Sequence, residues 1–251
     1  MVEQKVSVVN SSGEKLIGLE TKPSVEQPQY PAVIMVHGFY GNKDECGIFT
    51  TIVSALAEQG IVGYRFDLSG CGESEGSYAE TTLTKLAEDV ESILEFVESQ
   101  PSVDRVRIGL IGFSLGTTAI LALRPRNIRC LVMIGSVAHP YEILQVLFDE
   151  GFHPQGVSSR LTSSGKRVEV GPQFWQDFQR YNLIWQMRSL RVPTLFIHGE
   201  KDEIVPRTEV DALFNAAAEP KELVIVPGDK HVITDLASIT KAIAWLEQYL
   251  K

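Results

Sequence analysis

The chain has 251 residues, 44% of them hydrophobic and 22% charged, with a net charge of −9. That size and balance suit one large folded domain, and the acidity counts against a basic face for nucleic acid. Cys46, Cys71 and Cys130 form no C-x-x-C pair, so neither a disulfide framework nor a metal site is expected. The first residues lack an apolar signal-peptide region, and no run approaches the ~20 apolar residues of a membrane span. A cytoplasmic protein is expected, and its oligomeric state is not legible.

In chain order, "KVSVVN" and "KLIGLET" flank the turn signal "SSGE" and predict a hairpin. "PAVIMV" (31–36) is a near-continuous apolar run, as in a strand buried on both faces. "TIVSALAEQG" has helical spacing and stops on Gly60. The strand "IVGYRFD" follows, then an amphipathic helix, "LTKLAEDVESILEFVESQ", with Leu83, Leu86, Val90, Ile93, Leu94 and Val97 on one side. "VRIGLIG", "LGTTAILAL" and "IRCLVMIG" predict strand, helix, strand. After an irregular stretch, "PTLFIHG", "TEVDALFNAAA", "ELVIVPG" and "SITKAIAWLEQYL" resume the alternation. Strands alternating with helices predict an α/β fold: one domain over 1–251, a mostly parallel sheet with helices on both faces. Residues 138–191 are expected to form a small cap over the C-terminal edge of the sheet, where open α/β sheets bind ligands.

The pattern G-x-S-x-G occurs twice, as "GFSLG" (112–116) and "GESEG" (72–76). With 20 Gly and 19 Ser, roughly 0.1 matches are expected by chance, so the setting must decide. Ser114 follows an apolar strand and opens a helix at once. Such a tight turn lifts the hydroxyl above the sheet, and the flanking glycines avoid collisions. Ser74 lies in a glycine-rich loop between Glu73 and Glu75, whose carboxylates would oppose an oxyanion, and no helix starts behind it. Ser114 is therefore the candidate nucleophile.

A serine nucleophile needs a base, and the base an orienting acid. His231, in "PGDKHVITD", lies just past the last strand. The loop after the preceding strand, "HGEKDEIVP", offers Glu200, Asp202 and Glu203. Oxyanion donors are expected from the Leu115 N–H and from Phe39, in the loop "HGFYG" after "PAVIMV". His37 reads as an orienting residue of that loop.

"VHGFYGN", "RFDLSGCGESEG", "IGFSLGT", "HGEKDEIVP" and "PGDKH" together resemble the landmark loops of the α/β-hydrolase superfamily over nearly the whole chain. The resemblance implies a triad of Ser114, Asp202 and His231, which singles out Asp202 from its neighbours, and gives Asp67 a structural part. Within the superfamily the chain is similar to small bacterial and archaeal carboxylesterases of the cinnamoyl and feruloyl esterase type. The insertion "GKRVEVGPQFWQDFQRYNLIWQMRSLRVP" supports this branch, whereas Phe113 and Thr117 depart from it. The expected activity is hydrolysis of short-chain or hydroxycinnamoyl esters with no cofactor. Alternatives are a thioesterase, a monoacylglycerol lipase, an aminopeptidase-like hydrolase, or a non-catalytic binding protein on this scaffold. Trp175, Phe178 and Trp185 are read as a helical stripe that either packs the cap or, with Gln145, lines the substrate pocket. Asp177 is a further candidate for a polar substrate tail.

Overall fold

A computed structural model describes residues 1–162 and 165–251 of the chain. The predicted hairpin is β1 (Val2–Val9) against β2 (Lys15–Lys22), which crosses antiparallel onto β4 (Val62–Phe66). The remaining strands pair in parallel: β3 (Tyr30–Val36), β5 (Val103–Phe113), β6 (Cys130–Ile134), β9 (Thr194–Gly199) and β10 (Lys221–Val226). The eight-stranded order is β1-β2-β4-β3-β5-β6-β9-β10. This is an α/β-hydrolase fold.

The apolar run of β3 is buried along its whole length because both faces are covered. Ala32, Ile34 and Val36 enter one core, with α2 (Leu83–Ser99) and α3 (Leu115–Leu123). Val33 and Met35 enter the other, with α1 (Ile48–Glu58) and α8 (Leu236–Leu250). The alternation is that of any strand, whose side chains point to opposite faces in turn. All six predicted apolar residues of α2 are buried, and the Thr82 side chain caps its start by accepting from the Lys85 N–H. Gly60 follows α1 at φ +78°, the left-handed conformation that ends a helix cleanly.

Between β6 and β9 the chain forms α4 (Pro140–Phe148), a two-stranded hairpin of β7 (Ser158–Leu161) and β8 (Arg167–Val170), then α5 (Pro172–Phe178) and α6 (Leu183–Ser189). Residues 163 and 164, within the expected cap, lie outside the described residues. The single aromatic stripe expected here is not one helix. Asn182 accepts the N–H of Trp185 at 2.9 Å and so caps a new helix, α6. Helix α7 (Arg207–Ala216) lies between β9 and β10. Among the described residues no helix is long and apolar enough to cross a membrane.

Candidate active site

Ser114 joins β5 to α3 with φ 49° and ψ −120°, a conformation that costs a non-glycine residue about 1–3 kcal/mol. Its surroundings impose it. The Ser114 N–H donates to Ile134 O at 2.8 Å, and its carbonyl accepts the Thr117 hydroxyl at 2.6 Å. A Cβ at Gly116 would run into the carbonyl oxygen of Val36, and one at Gly112 would meet the Thr117 backbone at 2.9 Å. The start of α3 therefore lies directly against the end of β3. The first N–H groups of a helix have no intrahelical acceptor, and the Leu115 N–H is the first of them here.

His231 and Asp202 come together at the neighbouring strand ends. His231 Nδ1 and Asp202 Oδ2 are 2.7 Å apart, with the Asp202 side chain almost fully buried. The other carboxylate oxygen accepts the N–H groups of Ile204 and Val205, both at 2.9 Å. Burial raises the Asp202 pKa, but these bonds and the His231 charge outweigh it, and the net pKa falls below the ordinary range. The His231 ring lies 5.0 Å from the Phe113 ring, centroid to centroid, and Gly135 leaves room for it: a Cβ there would stand 3.1 Å from the imidazole. Phe113 and Thr117, the two departures from the resembled elbow, thus each brace the site.

The loop after β3 abuts the elbow, for a Cβ at Gly38 would lie 3.2 Å from Ser114 Cβ. Buried His37 accepts the Leu68 N–H at Nε2 (3.0 Å), so its proton sits on Nδ1, facing Gly38 O at 2.9 Å. Burial lowers its pKa, so His37 is a neutral clasp between two loops and not a base. Phe39 packs edge-on against Tyr78 and Phe148, and the Tyr78 hydroxyl accepts the Tyr40 N–H at 3.1 Å. Glu45, which sequence reasoning passed over, accepts the Gly38 N–H at 2.6 Å. Burial raises its pKa to about 7, against the opposing pull of that bond and of the His231 charge. The letters "KDECG" carry no sign that Asp44 is exposed and Glu45 buried.

Ser74 belongs to the scaffold. Its hydroxyl donates to Asp67 O at 2.6 Å and accepts the Ile17 N–H at 2.8 Å. Asp67 takes the Lys43 N–H, the Lys43 ammonium and the Glu73 N–H. Only a glycine fits at 72, where a Cβ would collide with this carboxylate. The pocket candidates separate. Trp175 is buried among Phe148, Phe152, Tyr141 and Phe174, and its indole N–H donates to Ser158 Oγ at 2.8 Å. Phe178 is buried against Phe174. Trp185 is exposed and lies against Arg124, at the opposite end of α3 from Ser114. A nine-residue helix puts roughly 14 Å between those ends, which takes Trp185 out of the candidate pocket. A cavity of about 660 Å³ also lies at that far end, lined by Glu91, Arg124 and Leu190 among others. Gln145 is exposed on α4. Asp177 is not free for a substrate, because its carboxylate takes the Thr84 N–H and hydroxyl and so ties α5 to α2.

A sheet order of this kind, with a serine turn at β5 and a histidine held by an acid at the last strand ends, defines a class. The chain belongs to the alpha/beta hydrolase fold family, whose sequence profile matches residues 31–157. It is 25% identical over 230 residues to the uncharacterized protein YfhR of Salmonella typhi, covering 91% of this chain and 74% of that one. It is 30% identical over 187 residues to the mitochondrial palmitoyl-protein thioesterase ABHD10 of Mus musculus, covering 70% and 60%. Among solved structures, the esterase domain of a Rhodothermus marinus protein superposes with a TM-score of 0.76 at 27% identity, covering all of both chains. Est1E of Butyrivibrio proteoclasticus, solved with ferulic acid bound, superposes with a TM-score of 0.85 at 23% identity, covering 97% and 99%. The second likeness is one of fold.

Proposed function

We propose that the chain is a serine esterase that works through an acyl-enzyme. The observation that carries the reading is the 2.7 Å pairing of His231 with Asp202, in a chain that also holds a serine in left-handed backbone at a strand-to-helix turn. His231 Nε2 takes the Ser114 proton as Oγ attacks the ester carbonyl. The N–H groups of Leu115 and Phe39 receive the oxyanion. The imidazolium, held by Asp202, gives its proton to the leaving alcohol. Water then repeats the cycle on the acyl-enzyme: His231 accepts the water proton and returns it to Ser114 as the acid departs. Short-chain acyl or hydroxycinnamoyl esters are the proposed substrates. The rings of Phe39 and Phe148, 5.7 Å apart beside the oxyanion loop, favour an apolar acyl chain, and 138–191 is read as the cap that closes over it.

A thioester reading draws on the 30% identity to the palmitoyl-protein thioesterase. Matched butyryl ester and butyryl thioester substrates decide which leaving group is preferred. The test of the common mechanism is a burst of 4-nitrophenol from 4-nitrophenyl butyrate, with fluorophosphonate labelling of Ser114. Ser114→Ala should abolish both; undiminished turnover in that variant ends the proposal.

A further inference from the structure

The β7–β8 hairpin places a cation where its own pattern calls for an apolar residue. Along the hairpin, Ser158, Val168 and Val170 point inward and are at most 2% exposed. Arg160 pairs with Val168 across the ladder and so shares that inward face. Its Nε is buried without a hydrogen-bond partner, and among the described residues no carboxylate pairs with its guanidinium. The guanidinium carbon stands 6.0 Å from the centroid of the Phe39 ring. From just before the next strand of the same hairpin, the Lys166 ammonium stands 4.9 Å over the Tyr40 ring. Two successive residues of the oxyanion loop therefore carry a cation each, in a chain whose net charge is −9.

Burying even one guanidinium nitrogen without an acceptor is costly, and a contact with a ring face returns only part of that cost. Burial lowers the pKa of Arg160. A ligand anion would supply the missing partner in planar, bidentate fashion. Lys166, exposed at the hairpin end, adds positive potential on the path to the site.

We propose that Arg160, supported by Lys166, is an anion-recognising residue of the site, and that the preferred ester carries a carboxylate or phosphate group remote from the scissile bond. This rests on the esterase reading for its chemistry but not for its binding. It is tested with three ethyl esters of one chain length: monoethyl adipate, ethyl 5-phosphonopentanoate and the neutral isostere ethyl 6-oxoheptanoate. Hydrolysis is followed by titration of the released acid. Wild type should favour at least one anionic ester over the ketone by roughly 10- to 100-fold in kcat/KM, the range of a hydrogen bond to a charged group. The preferred anion tells carboxylate from phosphate. Arg160→Met should bring the anionic-to-neutral ratio towards one, and Arg160→Lys should restore part of it.

Calorimetric binding of monoethyl adipate and of the phosphonate to Ser114→Ala reads recognition without turnover. The signal should vanish for both in Ser114→Ala/Arg160→Met. A wild-type ratio near one, or a ratio unchanged in Arg160→Met, overturns the proposal. Binding that depends on Arg160 without any hydrolysis sustains it and sinks the esterase reading alone.

Discussion

Glu45 offers a pH-dependent signature that no solvent-facing carboxyl would give. The residue is 6% exposed, and its carboxyl accepts the Gly38 N–H at 2.6 Å and has its pKa raised by burial from 4.5 to about 7. The unfolded chain releases this proton near 4.5, whereas the folded chain keeps it to about 7. Between those values the folded state binds more protons, so the stabilisation present below pH 4.5 is lost as pH rises. A difference of about 2.5 units, at 1.36 kcal/mol each, amounts to on the order of 3 kcal/mol. Glu45→Gln keeps an oxygen for the Gly38 N–H and removes the titration. Urea unfolding of both proteins from pH 4 to 8 isolates the effect, because other groups cancel in the difference. The variant should gain on wild type as pH rises from about 4.5, by on the order of 3 kcal/mol at pH 8. Parallel stability curves across that interval would refute the buried, protonated carboxyl.

Two further variants probe the scaffold. In Asp202→Asn, the N–H groups of Ile204 and Val205 hold the amide oxygen at the Oδ1 position, so the amide NH₂ faces His231 Nδ1. The imidazole proton is then forced to Nε2, and kcat on 4-nitrophenyl butyrate should fall roughly 10⁴-fold with the circular dichroism unchanged. Ser74→Ala removes two hydrogen bonds to backbone groups and should cost about 1–3 kcal/mol in urea unfolding. Its turnover should stay within a few-fold of wild type; loss of labelling at Ser114 in this variant would contradict the assignment of the two G-x-S-x-G motifs.

The alternation of apolar runs and amphipathic helices made the sheet legible, because β3 and α2 are each buried in the pattern their letters require. Ser114 was legible because local geometry, strand then glycine-flanked turn then helix, is written in consecutive residues. Asp202 and His231 could be placed at strand ends, but the choice of Asp202 over Glu200 and Glu203 came from the resembled motif. What stayed hidden depends on contacts distant in sequence. Asp177 binds Thr84, 93 positions away, and no local pattern shows that a carboxylate is already taken. Trp185 shares helical spacing with Phe178, yet an Asn182 cap breaks the helix between them. Glu45 and Arg160 are charged letters in polar surroundings, and only the fold reveals which way they point.

The elbow has one more consequence, for how substitutions are tolerated. Ser114 is the residue on which the proposed chemistry turns, yet its backbone angle suits glycine better than serine. Gly112 and Gly116 take no part in bond making, but neither can gain a single carbon without striking backbone. Indispensability to reaction and indispensability to folding are thus divided between neighbours. A survey of variants scored by turnover would rank the three positions alike. Scored by yield of folded protein, the same survey would leave Ser114 the most replaceable of the three.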